Sequence, residues 1–201
     1  MKDMTSSASG AAPLSDARTA RFANGPGDGL IIRDPGVPNL LMVRAREDRS
    51  PLLDAFDAVL GLPLPGPLRS TVSAHRIARW MSPDAWLVSV GADELESTAR
   101  ALQSALDGHG AVVDVSGGYA VLELSGPALM DVLKKSTSYD VHPDNFASGK
   151  VVNTSFAKAG VTLRAGENGV CELIVRRSFA HYVFQWLTDA ASEHGLSFTT
   201  G

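Results

Sequence analysis

The order in which two hydrophobic periodicities alternate constrains this chain more than any other feature. Short runs with strand patterning occupy residues 40–45, 71–80, 85–90 and 111–115. Between the first two, Ser50 serves as a helix N-cap with Pro51 at the first helical position, and Leu52, Leu53, Phe56, Val59 and Leu60 recur at helical spacing as far as Gly61. Leu95, Ala99, Leu102 and Leu106 mark a second helical stripe. The loop 61–67, with three prolines and two glycines, separates the first helix from the strand run that begins at Thr71. The order is strand, helix, strand, strand, helix, strand, in which two helices cover one face of an antiparallel sheet: the ferredoxin-like arrangement.

The order nearly recurs. A strand over 119–124 leads into a helix opened by Ser125, Gly126 and Pro127, with Leu129, Met130 and Leu133 inside it. Strands are predicted over 150–156, 161–164 and 170–175, the last two split by the turn 165–169. Ser178 is the predicted N-cap of a long helix whose apolar stripe is Phe179, Val183, Trp186, Leu187 and Ala190; Gly195 stands past its end, before a closing strand over 196–199. The expected fold is therefore α+β, with two ferredoxin-like halves of antiparallel sheet and covering helices, divided as 30–116 and 117–201. A strand over 30–33 is expected to open the first half. Residues 1–29 are rich in Ser, Ala, Gly and Asp, lack any period and close on Gly25, Pro26, Gly27, Asp28 and Gly29, so they read as a flexible N-terminal tail. Within it, Pro13, Leu14 and Phe22 are the residues suited to docking on a partner.

Composition narrows the function. A formal net charge of -4 with 20% charged residues argues against a nucleic-acid partner, which would need an excess of phosphate-binding cations. No apolar stretch reaches the roughly 20 residues that span a bilayer, and residues 1–10 lack the apolar core of a signal peptide. A cytoplasmic location with no membrane partner is expected. The single cysteine, Cys171, sits in the apolar run 170–175 and reads as a buried core residue, not a nucleophile.

The searchable motifs of chemistry are not met. Gly25, Gly27 and Gly29 have the wrong spacing for a dinucleotide fingerprint, and no predicted strand precedes them. Ser148, Gly149 and Lys150 lack the rest of a phosphate loop. Asp114, Val115, Ser116, Gly117 and Gly118 lack the first glycine of a nucleophile elbow and read as a turn. The five histidines, His75, His109, His142, His181 and His194, form no pair at zinc-enzyme spacing. Asn153, Thr154 and Ser155 match a glycosylation acceptor, without consequence in a chain expected to stay in the cytoplasm. No catalytic, cofactor-binding or metal-binding residue is expected. The candidates for a subunit interface are Arg176 and Arg177, beside the start of the last helix where an anion is favoured, together with Trp80, Trp86 and His142. Trp186 lies on an apolar stripe and reads as core.

Several segments resemble one family at once. Ser82, Pro83, Asp84, Ala85, Trp86 and Leu87 resemble the "GPDEWL" stretch of the sarcosine oxidase gamma subunits. Asp114 to Ser116, then Leu124 to Pro127, then Asp140, Val141, His142 and Pro143 with Phe146, resemble further landmarks in the same order. Densest is Val175, Arg176, Arg177, Ser178, Phe179 and Ala180, with Tyr182, Trp186, Leu187, Asp189 and Ala190, which resembles the family's "VRRSFA" helix. Where the family often has Gly, Cys and Pro, this chain has Ser136, Thr137, Ser138 and Tyr139.

The resemblance implies a fold similar to the folate-binding aminomethyltransferases. It also implies a heterotetramer with alpha, beta and delta subunits. That complex oxidatively demethylates sarcosine to glycine, passes the one-carbon unit to tetrahydrofolate as 5,10-methylenetetrahydrofolate and reduces oxygen to hydrogen peroxide. FAD, FMN, NAD, tetrahydrofolate and zinc are then expected on the other subunits and none on this chain. Three alternatives stay open: a free-standing folate-binding protein of the aminomethyltransferase type, a subunit of a related N-methyl amino acid oxidase or dehydrogenase, and an unrelated regulatory or scaffold protein.

Overall fold

The computed structural model describes residues 14, 21–22, 28–45 and 50–200. In chain order the elements are β1 (Arg21–Phe22), β2 (Leu30–Asp34), β3 (Leu40–Ala45), α1 (Ser50–Ala55) continued by a π-helical turn (Phe56–Leu60), β4 (Ser70–Ser73), β5 (Arg76–Ser82) and β6 (Ala85–Ser89). Then come α2 (Leu95–Leu106), β7 (Gly110–Asp114), β8 (Tyr119–Ser125), α3 (Leu129–Ser136), β9 (Val151–Phe156), β10 (Ala159–Ala165), β11 (Cys171–Arg176), α4 (Ala180–Ala190) and β12 (Leu196–Thr200). The strands form a five-stranded sheet in the order β4-β5-β6-β3-β7 and a seven-stranded sheet in the order β1-β12-β2-β8-β11-β10-β9. All neighbours are antiparallel except β12 and β2, which run parallel.

Side-chain alternation along the strands sorts the apolar residues into layers. On β3, Leu41 and Val43 point into a core shared with Leu52, Phe56 and Leu60 of the first helix and Leu102 and Leu106 of α2. The intervening Leu40 and Met42 point the other way and meet Leu87 of β6, Val121 of β8 and Ile174 of β11. The far face of the seven-stranded sheet carries Leu122, Leu163 and Leu173 against Leu133 of α3 and Val183 and Leu187 of α4. The stack is thus helices, sheet, sheet, helices. With both faces covered, the central strands read as continuous apolar runs.

Four expectations are corrected. The strand over 30–33 does not join the first sheet: β2 lies between β12 and β8 in the second. Backbone room at two glycines permits this. Gly29 donates its N–H to His194 O at 3.1 Å, and its carbonyl accepts from Ala128 N at 2.8 Å. A Cβ on Gly29 would fall 2.3 Å from His194 O, and one on Gly126, where φ is +106°, would fall 2.6 Å from Gly29 O. Second, the flexible tail is tied down where it is described: Leu14 is buried in the core of the seven-stranded sheet, and Arg21–Phe22 pairs with β12. Pro13 and the rest of 1–27 lie outside the described residues. Third, the single strand over 71–80 is two, β4 and β5, because Ala74 takes a left-handed φ of 48° and folds the chain back. Fourth, Ser178 caps nothing: a 3-10 turn, Arg177–Phe179, precedes α4, with no side-chain cap at either start. That turn rotates Phe179 off the apolar stripe to 46% exposure, and Leu53 is likewise outside its core at 51%.

One buried charged group crosses between the sheets. Arg79 of β5 is 1% exposed and clasps Glu172 of β11 through Nε to Oε2 at 2.6 Å and Nη2 to Oε1 at 2.5 Å. Its Nη1 donates to Ser89 Oγ at 2.8 Å, and Arg164 of β10 adds Nε to Glu172 Oε2 at 3.1 Å. Burial pushes the Glu172 carboxyl up, but the charges and hydrogen bonds of Arg79 and Arg164 outweigh it and hold the group below its usual range.

Substitutions at Glu172 and Gly29 test this frame. Glu172→Gln leaves Arg79 buried beside a neutral group and should cost about 3–5 kcal/mol of stability at pH 7, measured by denaturant unfolding. A carboxylate held low in the folded state stabilises the fold above its unfolded pKa and stops doing so as pH falls through the lower folded value. The gap between the parent and Glu172→Gln should therefore be full at neutral pH and close on acidification below about pH 4.3. A cost under about 1 kcal/mol, that of an exposed pair, would contradict this reading. Gly29→Ala should lose about 1–3 kcal/mol through forced backbone shifts. Gly117→Ala, where a Cβ meets nothing within 4 Å, is the control and should stay within about 0.5 kcal/mol. Equal stabilities for the two alanine variants would remove the role given to Gly29.

Candidate functional site

Alternation along β11 decides where its polar side chains go. Cys171, Leu173 and Val175 face the helices, and Glu172 and Ile174 face the five-stranded sheet. Arg176 continues the second set at the strand's end, where its guanidinium lies 4.6 Å from the ring centre of Tyr119, its register partner on β8. The two border a cleft of about 470 Å³ on the inner face of the seven-stranded sheet, bounded by Met81 of β5 and by Asn153, Ser155, Thr162 and Ile174. Two of its polar groups are engaged: Asn153 Nδ2 donates to Met81 O at 2.7 Å, and Thr162 Oγ1 donates to Asn153 Oδ1 at 2.6 Å. Arg177 does not continue the alternation, since the strand ends at Arg176 and Arg177 opens the 3-10 turn. It is partly buried there, on a turn packed against β8 and against the 3-10 turn Ser116–Gly118.

The other candidates are dispersed. Trp86 is corrected: at 1% exposure it fills the helix-side core of the five-stranded sheet, with Nε1 donating to Pro65 O at 2.9 Å. Its central strand leaves its ring no outer face. Trp80, paired with Trp86 across β5 and β6, packs against the same core but is only half-buried. His142 is exposed in the loop between α3 and β9; its Nδ1 accepts from Asp144 N–H at 3.3 Å, and its own N–H donates to Asp140 Oδ1 at 3.0 Å. The N–H of His142, with the Asn145 amide, holds the Asp140 carboxyl below its usual range. These bonds, with the Asp144 carboxylate 3.4 Å from Nδ1, shape the loop. Ser136, one of the residues that depart from the family pattern, accepts from Trp186 Nε1 at 3.0 Å and donates to Val132 O at 2.6 Å, which ties α3 to α4.

The motifs set aside in the sequence have structural roles. Ser116 Oγ donates to Asp114 Oδ1 at 2.5 Å and accepts from Leu40 N–H at 3.0 Å, closing the crossover from one sheet to the other. Cys171 is buried, and burial, reinforced by the charge of Glu172, pushes its thiol up to about 12. Cys171 also walls a second cavity of about 660 Å³ between α3, Pro143, Phe146 and the turn after β10. Among the described residues, no three His, Cys, Asp or Glu side chains are placed to hold a metal, and no helix is long and apolar enough to cross a membrane.

Known proteins resemble this chain over most of its length. A family model described as the sarcosine oxidase gamma subunit family matches residues 47–193. The sarcosine oxidase subunit gamma of Corynebacterium sp. (strain U-96) is 37% identical over 144 residues, covering 69% of this chain and 68% of that protein. The subunit gamma of an Arthrobacter species is 36% identical over 143 residues, covering 69% of each chain. Among solved structures, a chain of the heterotetrameric sarcosine oxidase from Corynebacterium sp. U-96, in complex with pyrrole 2-carboxylate, superposes with a TM-score of 0.78 at 28% identity, covering 89% of this chain and 93% of that one. The glycine cleavage system aminomethyltransferase T of Bartonella henselae shares the fold, with a TM-score of 0.60 at 12% identity over 87% of this chain and 56% of that one. The segments from Ser82 to Ala190 that carried the resemblance all lie within the matched span. The chain belongs to the sarcosine oxidase gamma subunit family.

Proposed function

We propose that this chain is a non-catalytic gamma subunit of a heterotetrameric sarcosine oxidase, assembled with alpha, beta and delta subunits in the cytoplasm. The complex oxidatively demethylates sarcosine to glycine, with tetrahydrofolate taking the one-carbon unit and oxygen giving hydrogen peroxide. FAD, FMN, NAD, tetrahydrofolate and zinc belong to the other subunits. The observation that carries this reading is the near end-to-end likeness to a chain of a heterotetrameric sarcosine oxidase.

The chemistry of the chain agrees with a supporting role. Its buried carboxylate Glu172 is clasped by two arginines, its thiol is held protonated by burial, and Ser116 is spent on a crossover. Glu172 and Ser116 thereby hold strands and a crossover in place. The architecture is read as two ferredoxin-like halves. In the first, β5-β6-β3-β7 has the expected order; in the second, β2 is inserted between β12 and β8. Arg176, Arg177, Trp80 and His142 are its contacts with other subunits.

The isolated chain should show no flavin absorbance and produce no peroxide from sarcosine, whereas the co-expressed four-chain complex should do both. A stoichiometric flavin band on the chain alone, or folate bound to it without partners, would overturn the reading. Peroxide from another N-methyl amino acid, with none from sarcosine, would move it to a related oxidase.

A further inference from the structure

We propose that the cleft beside Arg176 receives one carboxylate side chain, an Asp or Glu from an extended segment of a neighbouring subunit, which pairs with a guanidinium stacked on Tyr119. This deepens the subunit reading and rests on it. The first ground is charge. Glu172 and Arg176 lie on the same face of β11; Glu172 is met by two arginines, while Arg176 has no carboxylate within ion-pair distance among the described residues. The other residues lining the cleft, among them Met81, Asn153, Ser155 and Thr162, carry no charge, so Arg176 gives the cleft a single uncompensated positive charge.

The second ground is shape. Tyr119 holds the guanidinium plane at the cleft wall, which reduces the freedom a partner must freeze out. The opening, about 470 Å³, admits a side chain and the backbone that bears it. The flanking amide of Asn153 and hydroxyl of Thr162 are already bonded within the chain, which leaves the planar fork of Arg176 as the recognition element. One fork matches one carboxylate in charge and geometry; a phosphate dianion or a nucleic-acid backbone calls for several cations. The chain already uses this pairing internally, in the two bonds from Arg79 to Glu172.

The test uses the co-expressed complex. In Arg176→Lys, a water-soluble carbodiimide should join position 176 directly to an Asp or Glu of another subunit, identified by mass spectrometry of the cross-linked peptide. In Arg176→Gln, the Kd of this chain for the rest of the complex should rise by at least about thirtyfold and its dependence on salt should flatten. The melting temperature of the isolated Arg176→Gln chain should stay at the parent value, because the side chain is exposed. The proposal is overturned by an assembled Arg176→Lys complex with no cross-link at position 176. An unchanged Kd in Arg176→Gln overturns it too, as does a lowered melting temperature of the isolated variant. Those results, with the parent chain assembling normally, refute this contact alone. A parent chain that takes up no partners refutes the subunit reading as well.

Discussion

The stack of two sheets depends on the charged group between them. The apolar part of that interface is small: Leu40, Leu87, Val121 and Ile174, edged by Met42, Met81, Val115 and Tyr119. Apolar contact is non-directional and would tolerate a shifted or rotated sheet. The fork of Arg79 on Glu172, with Arg164 alongside, does not. Burying these charges costs free energy that is recovered only when each bond is made, so the group selects one placement of β5 over β11. The edge link repeats the constraint through the backbone, where Ser70 N–H donates to Gly149 O and Val151 N–H to Leu68 O.

The seven-stranded sheet adds a second constraint. β2 runs parallel to β12 and antiparallel to β8, so β2, with β1 at the edge, brings strands that precede the first helix into a sheet whose other strands all follow residue 118. The seven-stranded sheet therefore draws on two segments distant in sequence, whereas the five-stranded sheet forms entirely from residues 40–114, which lie between them. The cost falls on Gly29 and Gly126, whose backbones approach too closely for any side chain.

Much of this was legible in the sequence. Helical spacing located α1 to α4, alternation located most strands, and the turn 165–169 is realised as a hairpin with Asn168 and Gly169 at positive φ. Local patterns failed where partners distant in sequence decide the outcome. Nothing local to residues 30–34 shows that they pair with β8 and β12. Nothing local to Trp86 distinguishes a core tryptophan from an interface one. The Arg79–Glu172 pair left a trace, since Glu172 is the one charge in the apolar run 170–175 and Arg79 sits among Ile77, Ala78, Trp80 and Met81. A charge inside a strand covered on both faces needs a buried partner. At the candidate site, Arg176 was visible as a strand-end cation, but Tyr119, Asn153 and Thr162 join it only through strand register.

A chain organised this way commits Arg79, Arg164 and Glu172 to holding two sheets together and leaves Arg176 at an open corner of their interface. That is what a positioning subunit requires: a rigid frame and a surface complementary to larger partners. The most direct measurement is the native mass of whatever copurifies with this chain, tagged and expressed with the neighbouring genes of its source. The account predicts one copy of the 21.1 kDa chain in a single assembly with three different, larger or smaller, partner chains and bound flavin. Elution of the chain alone, or only as copies of itself, would contradict it.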